Sequence, residues 1–154
     1  VASATMALGG CPLRGPRKLD DASVRGFLDE LVGATVRRDD NAVCNLVAED
    51  AEVTLAMIRF SGSDIRTYDK PQYCQMVRDS FAGIPAQASY NVNVRVDKIT
   101  FMPGGRNAVL DVNVDESISM AGRPGMQMST RQQMTLVLTD GRLLMSEAKA
   151  WIER

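Results

Sequence analysis

Hydrophobic residues follow a helical spacing early in the chain and a strand spacing later. Apolar side chains recur every three or four positions over 24–36 and again over 73–81, which is typical of amphipathic helices. From Ser89 onward, apolar and polar residues alternate, so that Tyr90 and Val92 share one face of an extended segment. The pattern predicts helices first and a sheet afterwards.

Acidic or amide side chains stand at the start of each predicted helix, where they can accept hydrogen bonds from free backbone N–H groups. Asp20 or Asp21 is expected to cap the first helix, and Asp40 or Asn41 the short second one. Asp69 is expected to cap the third. Three helices are therefore predicted.

The segments between and after the helices are predicted to be one early strand, a loop and four later strands. "AEDA" (48–51) is predicted to be an acidic turn that leads into the strand "AEVTLAMIRF". "SGSDIRTYD" (61–69) has the Ser, Gly and Asp content of a loop. Four later strands joined by glycine-containing turns are predicted at 89–101, 108–120, 126–138 and 143–154. This order favours an α+β fold with helices on one face of a mainly antiparallel sheet.

Length and charge narrow the classes of function. A chain of 154 residues suits one domain, and we expect a signal remnant or tether over 1–18 and the folded domain over 19–154. The formal net charge of −1 argues against nucleic-acid binding, which needs a basic surface. No apolar run reaches the roughly 18 residues of a membrane span.

The chain contains 0 histidines. Catalytic triads built on histidine and histidine-rich metal sites are therefore excluded. Three widely spaced cysteines do not form a zinc site either, so no metal and no cofactor are predicted.

The beginning of the sequence offers a candidate lipid anchor. Leu8, Gly9, Gly10 and Cys11 follow a mildly apolar stretch, and they resemble the lipobox of bacterial lipoproteins. The resemblance implies a lipidated Cys11, a flexible tether and a periplasmic, membrane-anchored protein. The alternative is an unstructured tail on a cytoplasmic protein.

Two cysteines remain, Cys44 and Cys74. In a periplasmic protein they could pair. The favoured interpretation is that both are small, unpaired helix residues, because free cysteine packs as a small hydrophobe.

Two segments carry a resemblance to a known family. "NAVCNLVAEDAEVTL" (41–55) combines an apolar helix, an acidic turn and a strand, and "MTLVLTDGRLLMSEAKAWI" (134–152) is a closing hairpin. With the order of elements over 20–153, the chain resembles the nuclear transport factor 2-like superfamily, which includes SnoaL-like cyclases, ketosteroid isomerases and scytalone dehydratase. The resemblance implies a cone-shaped, cystatin-like roll around a largely apolar pocket. Separately, we expect a homodimer formed through the sheet face.

The resemblance does not carry the catalytic residues of the isomerases. Leu55 stands where the catalytic base would be, Leu31 near the position of the oxyanion tyrosine, and Arg131 near that of the protonated acid. Proton abstraction by that mechanism is not expected, and no catalytic residue is predicted.

The remaining polar residues indicate a candidate pocket. Asp111 and Arg131 are expected to pair across neighbouring strands, and Tyr68 and Tyr73 to flank the start of the third helix, with Leu55 nearby. Such groups could bind a polar part of a small ligand. The favoured interpretation of Asp111 and Arg131 is an ordinary cross-strand pair on a solvated or dimer-forming face, and the pocket is the alternative.

Two functions follow as expectations. The first is a non-catalytic module, lipid-anchored in the periplasm, that binds a small apolar ligand or another protein. The second is a SnoaL-like isomerase, cyclase or hydrolase that acts on a small apolar ligand in the pocket.

Overall fold

The computed structural model describes residues 18–59 and 62–153, so Cys11 lies outside the described residues. Its elements in chain order are α1 (Asp21–Val36), α2 (Asp40–Asn45), β1 (Val47–Arg59), β2 (Gly62–Asp69), α3 (Lys70–Ala82), β3 (Ser89–Phe101), β4 (Asn107–Met120), β5 (Arg123–Thr139) and β6 (Arg142–Glu153). The predicted α+β class is confirmed. None of the described helices is long and apolar enough to cross a membrane.

The strands form one mixed sheet in the order β2-β1-β6-β5-β4-β3. Strands β1 and β6 are parallel, and the other neighbours are antiparallel. The helices cover one face, here called the inner face, which carries buried residues such as Leu110, Val112 and Leu136. The opposite, outer face carries the alternate residues of the same strands. The core therefore lies between the helices and the inner face.

Aspartate side chains cap the three helices, as predicted, but at α2 a different aspartate does so. The carboxylates of Asp20 and Asp69 accept hydrogen bonds from the third residue of α1 and α3, and each forms a capping box. For α2 the cap is Asp39, not Asp40 or Asn41, and its carboxylate accepts from the N–H of Ala42 at 3.0 Å. Consecutive aspartates satisfy the same sequence rule, and the backbone path after α1 selects between them.

The predicted loop at 61–69 is wrong, because Gly62–Asp69 forms the edge strand β2. It pairs antiparallel with β1, and the hydroxyls of Thr54 and Thr67 lie 3.1 Å apart across the pair. Most of β2 is exposed, so the hydrophobic alternation that identifies a half-buried strand is missing. The sheet has one strand more than predicted.

The predicted acidic turn at 48–51 is also wrong, because these residues belong to β1. The pairing of β1 with β6 shifts register between Val47 and Glu52, which marks a bulge. Glu49 and Asp50 are exposed while Ala48 and Ala51 are buried. The acidic pair therefore lies at an irregularity inside the strand.

Cys44 and Cys74 form a disulfide, which overturns the favoured interpretation that both are unpaired. Their Cα atoms lie 5.7 Å apart, inside the usual range for a bridge. The bond joins α2 to α3 beside a small apolar cluster of Ala34, Val43 and Val77. The packing of two helices, which spacing does not reveal, brings the cysteines together.

Replacing both cysteines by alanine should destabilise the domain. The bridge closes a segment with a sequence separation of 30 residues, and the loss of chain entropy in the unfolded state corresponds to about 3 to 4 kcal/mol. Urea unfolding of the Cys44→Ala/Cys74→Ala variant against the oxidised protein measures the difference. Adding a reductant should lower the stability of the natural protein toward that of the variant and leave the variant unchanged. Equal stability of all samples would contradict the prediction.

Candidate ligand cavity

A cavity of about 380 Å³ lies between the helices and the inner face of the sheet. Most of its wall is apolar, with a few hydroxyl groups, one amide and one carboxylate. The lining residues are Thr35, Val43, Leu55, Tyr73, Met76, Val77, Ser80, Phe81, Ile84, Tyr90, Glu116, Ile118, Met126, Met128, Thr130, Gln132, Ala150 and Ile152.

The cavity wall is formed by side chains at helical spacing on α3 and at strand spacing on the sheet. On α3, the lining residues recur at the three- and four-residue spacing that places side chains on one side of a helix. On β5 and β6, every second residue faces the cavity, as with Met128, Thr130 and Gln132. Met126 is 66% exposed, so it marks a side on which the cavity meets solvent.

One polar cluster is built into the wall, and it consists of Tyr90, Glu116 and Tyr73. The Tyr90 hydroxyl donates a hydrogen bond to the Glu116 carboxylate. The two residues are diagonal neighbours on β3 and β4, because Val92 is the partner of Glu116 and Tyr90 the partner of Ile118. Tyr73 reaches the same region from α3, where the charge of Glu116 acts on its phenol.

The environment extends into alkaline pH the range over which both phenols stay protonated. Burial away from water raises the pKa of Tyr73 to about 12, and the charge of Glu116 adds to the increase. Burial also raises the pKa of Tyr90, and the hydrogen bond to Glu116 contributes in the same direction. The two phenols are therefore neutral hydrogen-bond donors beside Glu116, the one acidic side chain among the lining residues.

Arg38 holds one end of the cavity in place. It follows α1 with a left-handed backbone (φ 58°), a conformation that residues other than glycine adopt infrequently. Its guanidinium donates to the carbonyl oxygens of Pro85 at 3.0 Å and Ala88 at 2.6 Å. These contacts fix the segment that carries Ile84 of the wall and leads into β3.

The predicted pocket residues lie in three different places: the cavity, an open hollow beside it, and the outer face of the sheet. Leu55 and Tyr73 line the cavity. Tyr68 lies in a different, open hollow between β2 and α3, together with Arg66 and Gln72. The start of α3 therefore has the two tyrosines near it, as predicted, but they face different spaces.

Asp111 and Arg131 lie on the outer face, away from the cavity, and they do not pair as expected. Asp111 is opposite Gln133 and accepts a hydrogen bond from its amide at 3.0 Å. Arg131 is exposed and lies opposite Asn113 and Trp151. The alternation places both on one face correctly, but the helices cover the other face of the sheet.

Tyr90 and Glu116 are the site residues that the sequence reasoning missed. Glu116 interrupts the inward series Leu110, Val112, Val114 and Ile118 of β4. A carboxylate at an otherwise apolar position is the signal that could have identified it. Among the described residues, no group of three or more acidic, cysteine or histidine side chains is arranged to hold a metal ion.

Replacing Tyr73 by phenylalanine should make stability less sensitive to alkali. The pKa of Tyr73 is about 12 in the folded protein against an ordinary 10.0, so over that interval the unfolded chain holds fewer protons. The free energy of unfolding therefore falls as the pH rises through this window. Urea unfolding at about pH 8 and about pH 11 should show a smaller decrease for Tyr73→Phe than for the natural protein. Tyr68→Phe, a phenol outside the cavity, is the control, and an unchanged decrease in Tyr73→Phe would contradict the assignment.

Comparison with known proteins gives no match to a family model and no match among curated proteins. Solved structures do match. A nuclear transport factor 2-like protein from Cytophaga hutchinsonii aligns with a TM-score of 0.60 at 13% identity, over 87% of this chain and 99% of that one. A ketosteroid isomerase-like protein from Erwinia carotovora aligns with a TM-score of 0.57 at 10% identity, over 85% and 94%.

A third structure, a domain with a cystatin-like fold from Nostoc punctiforme, aligns with a TM-score of 0.63 at 12% identity, over 88% of this chain and 78% of that one. At these identities the likeness concerns the fold and not the activity. It agrees with the resemblance that the two sequence segments carry. The chain has the nuclear transport factor 2-like fold.

Proposed function

We propose that this domain is a binding module that takes a small, mainly apolar molecule into its cavity. The observation that carries the proposal is the cavity itself, whose volume of about 380 Å³ falls among those of ligand pockets, roughly 300 to 1,000 Å³. Its wall combines a large apolar surface with a few polar groups gathered around Glu116. Such a wall gives affinity through burial and orientation through hydrogen bonds.

The methionines in the wall support a ligand of irregular shape. Met76, Met126 and Met128 all line the cavity. Their unbranched, polarisable side chains adapt to different shapes at little cost. We infer that sheet and helices together form the cone typical of this fold, with the cavity as its interior.

A non-catalytic role is favoured because Leu55 lies in the wall at the position that the resemblance assigns to the isomerase base. A second candidate function is an enzyme that moves a proton on the bound ligand. Glu116 favours it, since a carboxylate inside a cavity can accept a proton from a ligand. Recovery of a chemically unaltered ligand after long incubation would support the binding module.

Binding of octanol, a neutral apolar probe, should be visible through the methionine methyl groups. With methyl-labelled methionine, the resonances of Met76, Met126 and Met128 should shift on titration, because these side chains line the cavity. Met134 and Met145, which are buried outside its wall, should shift little.

A matched pair of variants locates the effect. Ala150→Phe places a ring in the cavity and should abolish the shifts. Lys149→Phe places the same ring at an exposed position of the same strand, whose side chain points to the opposite face, and should leave the shifts intact. Binding that survives Ala150→Phe, or that moves Met134 and Met145 equally, would refute the cavity as the site.

We further propose that the protein is lipid-anchored through Cys11 in the periplasm and forms a homodimer through the outer face. The disulfide between Cys44 and Cys74 supports an oxidising compartment, where such bonds persist. The outer face and its edge carry exposed apolar side chains, with Ile65 at 63% and Ile58 at 42% exposure, and a dimer would cover them.

Native mass spectrometry of the protein purified from its own cells tests both proposals. We expect a subunit that begins at Cys11, carries the added mass of a diacylglycerol and appears as a dimer. An unmodified subunit that retains the residues before Cys11 would refute the anchor. A monomer at all accessible concentrations would refute the dimer.

A further inference from the structure

The cavity has an unbalanced negative charge. Glu116 is the one acidic residue among those that line it, and no lysine or arginine is among them. Arg38 is a cation that acts on the cluster, since its charge lowers the pKa of Tyr90. The Arg38 guanidinium, however, is directed to the carbonyl oxygens of Pro85 and Ala88. The carboxylate therefore faces an apolar space with only neutral donors beside it.

A carboxylate in such a place is costly unless a partner compensates its lost hydration. The hydrogen bond from Tyr90 compensates part of the loss. A carboxylate has two oxygens and about four acceptor sites, so one donor leaves it able to accept more. A cationic donor is the partner that would gain most from this position.

Aromatic rings surround the same space. Tyr73 and Phe81 come from α3 and Tyr90 from β3, and all three line the cavity together with Glu116. The faces of aromatic rings attract organic cations, and pockets that bind quaternary ammonium groups are lined by such rings. Both phenols are neutral at physiological pH, and the raised pKa values of Tyr73 and Tyr90 keep them neutral in alkaline solution as well. Neither therefore competes for the cation as a phenolate.

We propose that the ligand of this cavity is an apolar organic cation, a protonated amine whose ammonium group binds Glu116 among the three rings. Its hydrocarbon part would lie against the apolar wall formed by residues such as Leu55, Met128 and Ile152. This inference rests on the proposed function, because it names the chemical class of the molecule that the cavity binds. A ligand carboxylate is disfavoured because it would place two negative charges together.

Three probes of equal chain length test the charge preference. Octylamine, octanol and octanoate differ only in the head group, and at neutral pH they are positive, neutral and negative. The shifts of the Met76, Met126 and Met128 methyl groups give a dissociation constant for each. We expect octylamine to bind about tenfold more tightly than octanol, and octanoate to bind more weakly than either.

A matched pair of variants on β4 assigns the preference to one carboxylate. Glu116→Gln removes the charge in the cavity and keeps the side-chain shape, so the preference for octylamine over octanol should fall to within about threefold. Asp115→Asn makes the same change on the adjacent, exposed residue, whose side chain points to the outer face, and should keep the full preference. Unchanged methyl resonances of Met134 and Met145 show that each variant is folded.

The outcomes separate the two proposals. If none of the three probes shifts the cavity methionines, the proposed function itself fails. If octanol binds but octylamine binds no better, the ligand class proposed here is wrong and the binding function stands. Octanoate as the tightest ligand, or a preference for octylamine that survives Glu116→Gln, would also overturn the proposal.

Discussion

The parallel pairing of β1 with β6 is the constraint on which the rest of the structure depends. It joins an early strand to the last one, with Leu55 opposite Ala150 and Ala56 opposite Trp151. Parallel neighbours need a long connection, and here it consists of β2, α3 and the strands β3 to β5. Within this connection, α3 packs over the inner face. The cavity lies between α3 and the sheet, and Leu55 and Ala150 are among its lining residues on the sheet side.

Two further contacts hold the helices over that space. The disulfide between Cys44 and Cys74 joins α2 to α3, and Arg38 ties the end of α1 to the segment after α3. α1 itself packs against β3 and β6 through buried residues such as Val24 and Phe27. The domain therefore has a well-packed side and a hollow side, and the covalent link lies close to the hollow side.

The chemistry of the hollow depends on a single charged position. β4 alternates as a half-buried strand should, and the inward residues are apolar until Glu116. Its hydrogen bond from Tyr90 and its effect on Tyr73 make one electrostatic unit from β3, β4 and α3. The likeness to solved structures concerns the fold alone and does not indicate a ligand. The proposed ligand class therefore depends on this electrostatic unit.

Local rules determined much of this protein from the sequence alone. The 3.6-residue and two-residue periods located α1, α3 and the four later strands, because burial on one side imposes those spacings. Aspartates marked the helix starts, and the two family-like segments indicated the fold. The same rules missed β2, because an exposed edge strand has no hydrophobic alternation to detect.

The tertiary structure decided the rest, because those features depend on residues far apart in the sequence. Alternation placed Asp111 and Arg131 together on one face, but only the position of the helices shows that this face is the outer one. The packing of α2 on α3 paired the cysteines. The pairing of β3 with β4 under α3 gathered Tyr90, Glu116 and Tyr73. The sequence by itself determined most of the elements and the fold class. The tertiary structure decided which side chains share the cavity, because a face becomes a site only when another element packs over it.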